Sequence, residues 1–589
     1  MKKNKLLLPL LTLLLLPSCN GANKEEKQEL IIFNVEDYIS IEDEGCRDLI
    51  AEFEEEFNCE VKYYTYDTNE TMYNQYKLQT EGTYDLVMAS EYMIQKMAKE
   101  GLIEKYDSFA ENIPNYEQYC SEPLRQKLKN MVITEKDGTT STIDEYAVGY
   151  MWGTLGIVYN ADYVDDSEGI LSWDALYAEE YDNYASIKNS MRDAYDVGLI
   201  HGFSHNDEQY QELLEKYYAD DASEEDIAAF TTYLQQVFDF KEFHRDIVGD
   251  PTNDANYQYN VNKIELVKNE LIELKKNIFG FETDSGKQDI VEGSKIKMNL
   301  AYSGDAVYSI QCAMDLPEPK NLKYTVPYEG GNIWYDGWML AKNAPHKDLA
   351  YQFLNFISDP ENAAANMEYI GYTPFINGDG MFDMVATTYG ATDYYEDGVY
   401  YGEYEEDEYY GDIVIYNDKL YHCIQDTEEA EETILPTNTE YFECLDLSII
   451  TLDDLDDCEM YSSNGHFYYH YLEEDDEEVE PYDLSYIYTT DTQDLESGRR
   501  PIVYPFEGLD NLLETQYPDA FTIARCAVMN DYGDCNEEVI IMWGQIKAYT
   551  NMTPYYVILI VFVVLVIALA VFLIINKKLS ARYKRKSEK

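Results

Sequence analysis

The sequence predicts an α/β fold of two lobes, carrying an acidic, tyrosine-rich β insert and ending in a C-terminal transmembrane helix. Three observations lead there. Over the first hundred residues short apolar runs alternate with amphipathic stretches, the order strand, helix, strand, helix that builds a parallel sheet covered on both faces. Between Met381 and Arg500 that grammar stops, and the stretch holds 35 acidic but only 3 basic residues. From Val557 to Ile575 the chain is uninterrupted and apolar, close to the ~20 residues a spanning helix needs.

Each element follows in order. Residues 1–19 have the layout of a secretion signal: three lysines within Met1 to Lys5, then a leucine-rich run from Leu6 to Leu16 too short to span a bilayer. Leu16-Pro17-Ser18-Cys19 is similar to a bacterial lipoprotein processing site, with Cys19 as the residue to be lipidated. A first α/β lobe is expected over 29–147. Its strands are Leu30 to Val35, Val61 to Tyr66 and Tyr84 to Ala89. Its helices are Cys46 to Phe57, Tyr73 to Thr80 and one that Ser90 is placed to cap and that ends near Gly101. Ligands on such sheets sit beyond the carboxyl ends of the strands, which directs attention to Asn34 to Tyr38 and Ser90 to Tyr92.

A second lobe is expected over 148–333, opening at Tyr146 to Gly153 and Gly156 to Asn160, with a polar addition between about Gly202 and Gln258. Residues 334–380 return to the first lobe, with helices at Lys342 to Ile357 and Pro360 to Tyr369. The insert spans 381–500, residues 501–550 complete the second lobe, and helical sequence resumes at Asn536 to Ala548. The span occupies 555–576. Lys577, Lys578, Arg582, Lys584, Arg585 and Lys586 follow at once, so the 577–589 tail is expected in the cytoplasm and the main domain outside the membrane.

Charge narrows the partners. A net charge of −71, from 114 acidic and 43 basic residues, makes nucleic acid and anionic surfaces poor partners and favours small cations. Of ten cysteines, nine remain once Cys19 is set aside, an odd number. The close pairs Cys46/Cys59, Cys423/Cys444 and Cys526/Cys535 fit small disulfide loops or free thiols equally, and none has a CxxC metal spacing. His201 and His205, like His466 and His470, have the spacing of metal ligands on a helix, but no third ligand is evident and no metal or cofactor is expected. No phosphate loop, nucleophile motif or HExxH is present, so no enzyme activity is expected.

Eight fragments in order carry a resemblance. They are Phe33 to Tyr38 (FNVEDY), Tyr64 to Tyr73 (YTYDTNETMY), Tyr84 to Tyr92 (YDLVMASEY), Lys96 to Leu102 (KMAKEGL), Trp152 to Asn160, Tyr302 to Ala306 (YSGDA), Gly330 to Asp336 (GGNIWYD) and Tyr369 to Pro374 (YIGYTP). The chain thereby resembles the spermidine/putrescine-binding family, the extracytoplasmic substrate-binding proteins of polyamine ABC importers. The resemblance implies a two-lobed periplasmic-binding-protein-like fold crossed twice by the chain, a hinge, and a cleft that closes on its ligand. It implies a polyamine or other small cation as ligand, and an ABC permease and ATPase as partners.

A polyamine is a methylene chain bearing ammonium groups, so its site needs carboxylates for the charges and aromatic faces for the spacer. Trp334 and Asp336 share one face of an extended segment and supply both; Ser90 and Tyr92 repeat the spacing. By resemblance Tyr38, Ser90, Tyr92, Trp334, Asp336 and Tyr372 match ligand-contacting positions. Asp37 keeps an acid where the family has one. Asp193 stands for a glutamate and Tyr302 for a tryptophan. Val35 replaces an aromatic residue and Ser190 an aspartate, which leaves the choice among putrescine, spermidine and other cations open. Read alone, Trp334 is a core residue and Asp336 a turn residue; the surrounding match assigns them to a cleft.

A rival reading rests on the insert. Gly411 to Cys423 and Pro436 to Glu443 are similar to small aromatic carbohydrate-binding modules, with Phe442 where those have a tryptophan. On that reading the protein is a surface adhesion or glycan-binding protein.

Overall fold

The computed structural model describes residues 27–41, 46–135, 138–165, 170–219, 221–243, 251–282, 285–390 and 501–550, shorter segments between 393 and 488, and residues 553–587. The described fold opens with β1 (Gln28–Val35), in which Leu30, Ile32 and Phe33 are buried. α1 (Leu49–Glu56) starts where the Asp48 carboxylate accepts from the Ala51 N–H, and Leu49 and Phe53 form its buried stripe. β2 (Cys59–Tyr66) runs parallel to β1, from Gln28 opposite Cys59 to Val35 opposite Tyr66. α2 (Asn69–Leu78) is capped by Thr68, and β3 (Leu86–Ser90) adds to the other side of β1, again parallel. α3 (Glu91–Glu100) stops at Gly101, which takes the left-handed conformation and donates its N–H back to Ala98. Ser90 stands at the N-cap of α3 but makes no capping bond, contrary to the expectation; its hydroxyl accepts instead from the Asn69 amide at 3.0 Å.

Two long strands join the lobes. β4 (Ala147–Asn160) is buried along its whole length. Beyond it come β5 (Ala185–Lys188), α4 (Met191–Asn206), α5 (Ala255–Asn277), β6 (Gly280–Glu282), β7 (Met298–Tyr302), α6 (Ser303–Met314) and β8 (Leu322–Thr325). The chain then returns as β9 (Gly331–Ala341), buried throughout and antiparallel to β4. The sheet order is β2-β1-β3-β9-β4-β7-β5-β6, with β8 also on β4. Thus β1 to β3 lie on one side of the crossing pair and β5 to β7 on the other, the two-lobed architecture the sequence predicts.

Within this frame the β4–β9 pairing slips between Tyr335 and Gly337, where two residues of β4, Tyr150 and Met151, face Asp336 alone, so Asp336 sits opposite a β-bulge of β4. On its other edge Asp336 stays in register with Ser90 of β3. Bulges re-aim a side chain at the cost of local pairing.

Several expectations change. The stretch from 202 to 258 is not a polar addition: helices Glu208–Tyr217 and Glu224–Phe238 turn Tyr210, Tyr217, Phe230, Leu234 and Phe238 into the second-lobe core and leave only their outer faces polar. The core does not end at 381 either. Helix Asp379–Tyr389 buries Met381, Phe382, Val385 and Tyr389 in the same cluster as Leu484, Ile487, Tyr488, Leu513 and Tyr517. His466 and His470 lie on strand His466–Tyr471, not on a helix, and four strand residues span ~13 Å, too far for one metal. Cys59 and Cys526 are free thiols, so neither the Cys46/Cys59 nor the Cys526/Cys535 loop is closed by a disulfide. Cys444's side chain and residues 1–26, with Cys19, lie outside what is described.

In the insert, strands Ile413–Ile415, Leu420–Cys423 and Phe442–Leu445 form an antiparallel sheet. Phe442 is 1 % exposed and packs with Tyr421 and Cys423, so its ring is not offered to a sugar. The last helix, α7 (Thr553–Ser587), contains Ile560–Lys578, which is long and apolar enough to cross a membrane.

Candidate functional site

β3, β4, β7 and β9 deliver their residues to one place between the lobes. Tyr38, just past β1, donates its hydroxyl to Asp336 Oδ2 at 2.7 Å. Its own carbonyl is held by the Tyr150 hydroxyl of β4. Aromatic rings continue the wall: Tyr38 to Tyr372 at 5.8 Å between centroids, Tyr372 to Trp334 at 5.2 Å and Trp334 to Tyr302 at 5.7 Å, each edge to face. The Tyr302 hydroxyl donates to Asp193 Oδ2 at 2.7 Å. Tyr38, Asp336, Trp334, Tyr372, Tyr302 and Asp193 therefore form one chain of contacts, with Ser90 beside Asp336 in the sheet.

Two glycines make the wall possible. A Cβ on Gly153 would stand 2.7 Å from the Trp334 ring, and one on Gly304 would stand 2.0 Å from the Tyr372 ring. The glycine of YSGDA is thus a seat for Tyr372.

The remaining expected residues sit apart. Asp37 is exposed, in the left-handed conformation at φ 54°, at the turn after β1. It makes no hydrogen bond with the cleft residues, so the structure does not group it with them. Tyr92 is buried, but its hydroxyl donates to Glu70 at 3.0 Å and its ring is covered by the Arg192 guanidinium at 3.5 Å. Tyr92 therefore stands where one lobe touches the other. Ser190 caps α4 by accepting from the Asp193 N–H.

Four charged residues escaped the sequence reading of the site. Lys188, at the end of β5, donates to Asp305 Oδ2 at 2.7 Å and lies 4.7 Å over the Tyr302 ring. The other Asp305 oxygen accepts from the Tyr372 hydroxyl at 3.1 Å. Glu91 accepts from the Tyr335 N–H at 2.9 Å, and Asp196 is buried one turn along α4 from Arg192. Asp305 stood in view within YSGDA, three positions after Tyr302. Lys188 gave no signal, since its partner lies 117 positions away.

Electrostatics separates these carboxylates. Asp305 is held below the usual range: burial opposes its ionisation, but the Lys188 ammonium outweighs that. Burial pushes Glu91 up to about 7, with Arg192 pulling the other way. Asp193 is raised by burial, against the Tyr302 hydroxyl. Asp336 is pushed up to about 6, again by burial, with the Ser90 and Tyr38 hydroxyls opposing. Its Oδ1 and the Trp334 indole Nε1 are buried without a hydrogen-bond partner. Buried orphan atoms of this kind cost stability unless something fills the space and pairs with them.

Among known proteins, residues 48–378 match the family model of bacterial extracellular solute-binding proteins, and the chain belongs to that family. It is a family of substrate-binding transport proteins, not of enzymes. Curated relatives include the spermidine/putrescine-binding periplasmic protein of Escherichia coli, 26% identical over 359 residues, 60% of this chain and 79% of the relative. A second is the putrescine-binding periplasmic protein SpuD of Pseudomonas aeruginosa, 25% identical over 357 residues, 60% of this chain and 80% of the relative. Among solved structures, the spermidine/putrescine ABC transporter substrate-binding protein PotD from Streptococcus pneumoniae is 28% identical, covering 59% of this chain and 84% of that one, with a TM-score of 0.40.

Proposed function

We propose that this protein captures a small polyamine outside the cell membrane for an ABC importer, with Asp336 as the principal counter-ion and Trp334 as the wall of the spacer. One observation carries the reading: the Asp336 oxygen and the Trp334 indole nitrogen are buried and unpartnered at alternate positions of one strand, lined by Tyr38, Tyr302 and Tyr372. An ammonium supplies the charge-assisted donor that Asp336 lacks, and methylenes suit the aromatic faces. The relatives' names point to the same ligand class.

The cleft's own charges favour a diamine. Lys188 neutralises Asp305, and Arg192 lies beside Glu91 and Asp196. Asp336 and Asp193 remain, hydrogen-bonded by hydroxyls, with Lys188 and Arg192 acting on Asp193 only through space, which makes two positions for two ammonium groups. A third ammonium meets Lys188. Putrescine-like ligands are therefore the preferred class.

A membrane tether completes the proposal, through the Ile560–Lys578 span with its basic flank inside the cell and a lipid on Cys19. Protease added to intact cells is expected to remove the large domain and spare a short tail; a protected large domain would refute that topology.

The binding test is calorimetric titration of the full chain in detergent with putrescine, spermidine and spermine. Asp336→Asn is expected to weaken diamine binding at least ~30-fold, corresponding to ~2 kcal/mol, because the ammonium would be buried without a counter-charge. At pH 7.5 its melting temperature should not fall, since ionising this buried carboxyl opposes folding. Unchanged putrescine affinity in Asp336→Asn would remove the assignment.

A further inference from the structure

Away from the cleft, the described residues contain a group suited to a transition-metal ion. Asp174, in the turn Trp173–Leu176, lies against His201 and His205, one helical turn apart near the C-terminal end of α4, and their potential ligand atoms all fall within 4.8 Å. His201 Nε2 is 3.2 Å from Asp174 Oδ1 and His205 Nε2 is 3.3 Å from the same oxygen. Donors bound tetrahedrally at ~2.0–2.1 Å to one zinc ion lie ~3.3 Å apart. The third ligand that the histidine pair lacks in the sequence thus comes from Asp174.

Tautomers sharpen the case. His201 Nδ1 is 2.8 Å from Glu270 Oε2, and His205 Nδ1 is 3.0 Å from the His201 carbonyl. Both partners accept, so each Nδ1 carries the hydrogen, and in the neutral ring each Nε2 is a bare lone pair. In that neutral state three acceptors converge on one point, the Nε2 atoms lying 3.2 and 3.3 Å from Asp174 Oδ1. Glu270, on α5, holds His201 as an outer carboxylate holds a metal-bound imidazole. The Tyr177 ring, stacked on His201 at 3.6 Å and 8° between planes, fixes its tilt. The Asp174 and His205 side chains are 56% and 47% exposed, which leaves an approach for the ion and room for a water as fourth ligand.

We propose that Asp174, His201 and His205 bind a divalent cation of the zinc class, at the opposite end of α4 from Asp193 and independently of the polyamine cleft. Two imidazoles and one carboxylate select zinc, cobalt or nickel over calcium and magnesium, which require oxygen ligands. The ion would tie the Trp173–Leu176 turn to α4 without touching the cleft.

The full chain in detergent, stripped with a chelator, is titrated with cobalt chloride while visible absorption is recorded. One Co2+ per chain is expected to develop the intense bands of four-coordinate cobalt, to be displaced by zinc and not by calcium or magnesium. Oxygen-only sites elsewhere on so acidic a chain give only weak six-coordinate bands, so they do not mimic this signal. Asp174→Asn and His205→Ala should each weaken zinc binding at least about 100-fold, the upper end of what loss of a mere outer-shell partner costs. Both change exposed side chains, and their melting temperatures in chelator should equal the parent's. If the parent shows no four-coordinate cobalt band, or if both variants keep it at the parent's affinity, the site is only a pair of protonated histidines on an aspartate and the proposal fails.

Discussion

The two ends of the cleft solve the same problem in opposite ways. At the Asp336 end a buried carboxylate keeps one oxygen unpaired and meets only hydroxyls, whereas at the Asp305 end a largely buried carboxylate is matched by Lys188 at 2.7 Å. One end waits for a cation; the other already has one. Burial alone therefore does not make a carboxylate a ligand site. The difference lies in whether the chain itself supplies the counter-charge.

The comparison breaks most visibly at Lys188. Lys188→Met leaves the largely buried Asp305 with only the Tyr372 hydroxyl and no counter-charge in contact, and removing one partner of a buried pair costs about 3 kcal/mol or more. Chemical denaturation of the free chain should show that loss. Calorimetry should show spermidine gaining about tenfold relative to putrescine, because the vacated carboxylate becomes a third ammonium position. A variant with unchanged stability and unchanged ligand order would mean that Lys188 faces solvent in solution.

Next in size is the effect of pH. The Asp336 carboxyl, at about 6 without ligand, must be ionised to hold an ammonium, so putrescine affinity should be flat above pH 7 and about tenfold weaker at pH 5. The sign for stability is opposite: with its pKa raised above the unfolded value, this group favours the free fold most at low pH and withdraws that contribution as pH rises from about 4 to 6. Asp305, held low by Lys188, should add nothing over this window, and a pH-independent affinity would assign the ligand charge to it.

Smaller effects come from the walls and from beyond the cleft. Trp334→Phe keeps an aromatic face but shortens it, and a loss of about threefold is expected, greater for longer amines than for putrescine. Replacing residues 392–480 by a short linker, a cut that preserves the buried helix Asp379–Tyr389 and the Leu484 to Tyr488 cluster, should change affinity by less than about threefold. A large drop in a folded variant would bring the insert into the site.

Much of this was legible in the sequence. β1 to β3 and their helices follow from apolar period and caps, and the GGNIWYD and YSGDA segments do come together in space. Asp37 stands apart from the other expected residues because it lies exposed in a turn of left-handed conformation, which no motif records. Lys188 and Asp174 were missed for a common reason: each acts through a partner remote in the chain, Asp305 for one and the histidine pair for the other. The core runs past 381 because composition marks where charge begins, while Met381, Phe382, Val385 and Tyr389 carry apolar packing beyond that point.

The bulge opposite Asp336 makes this strand forgiving of one kind of inherited change and intolerant of another. A substitution between Ile333 and Gly337 alters a contact and leaves its neighbours in place. Loss of a single residue there would widen the mismatch with β4, whose Tyr150 and Met151 already face Asp336 alone, and would turn every later side chain of β9 to the other face. Relatives that changed their ligand by gradual mutation should therefore keep the length of this segment, and a lineage in which its length has altered should have abandoned the pocket altogether.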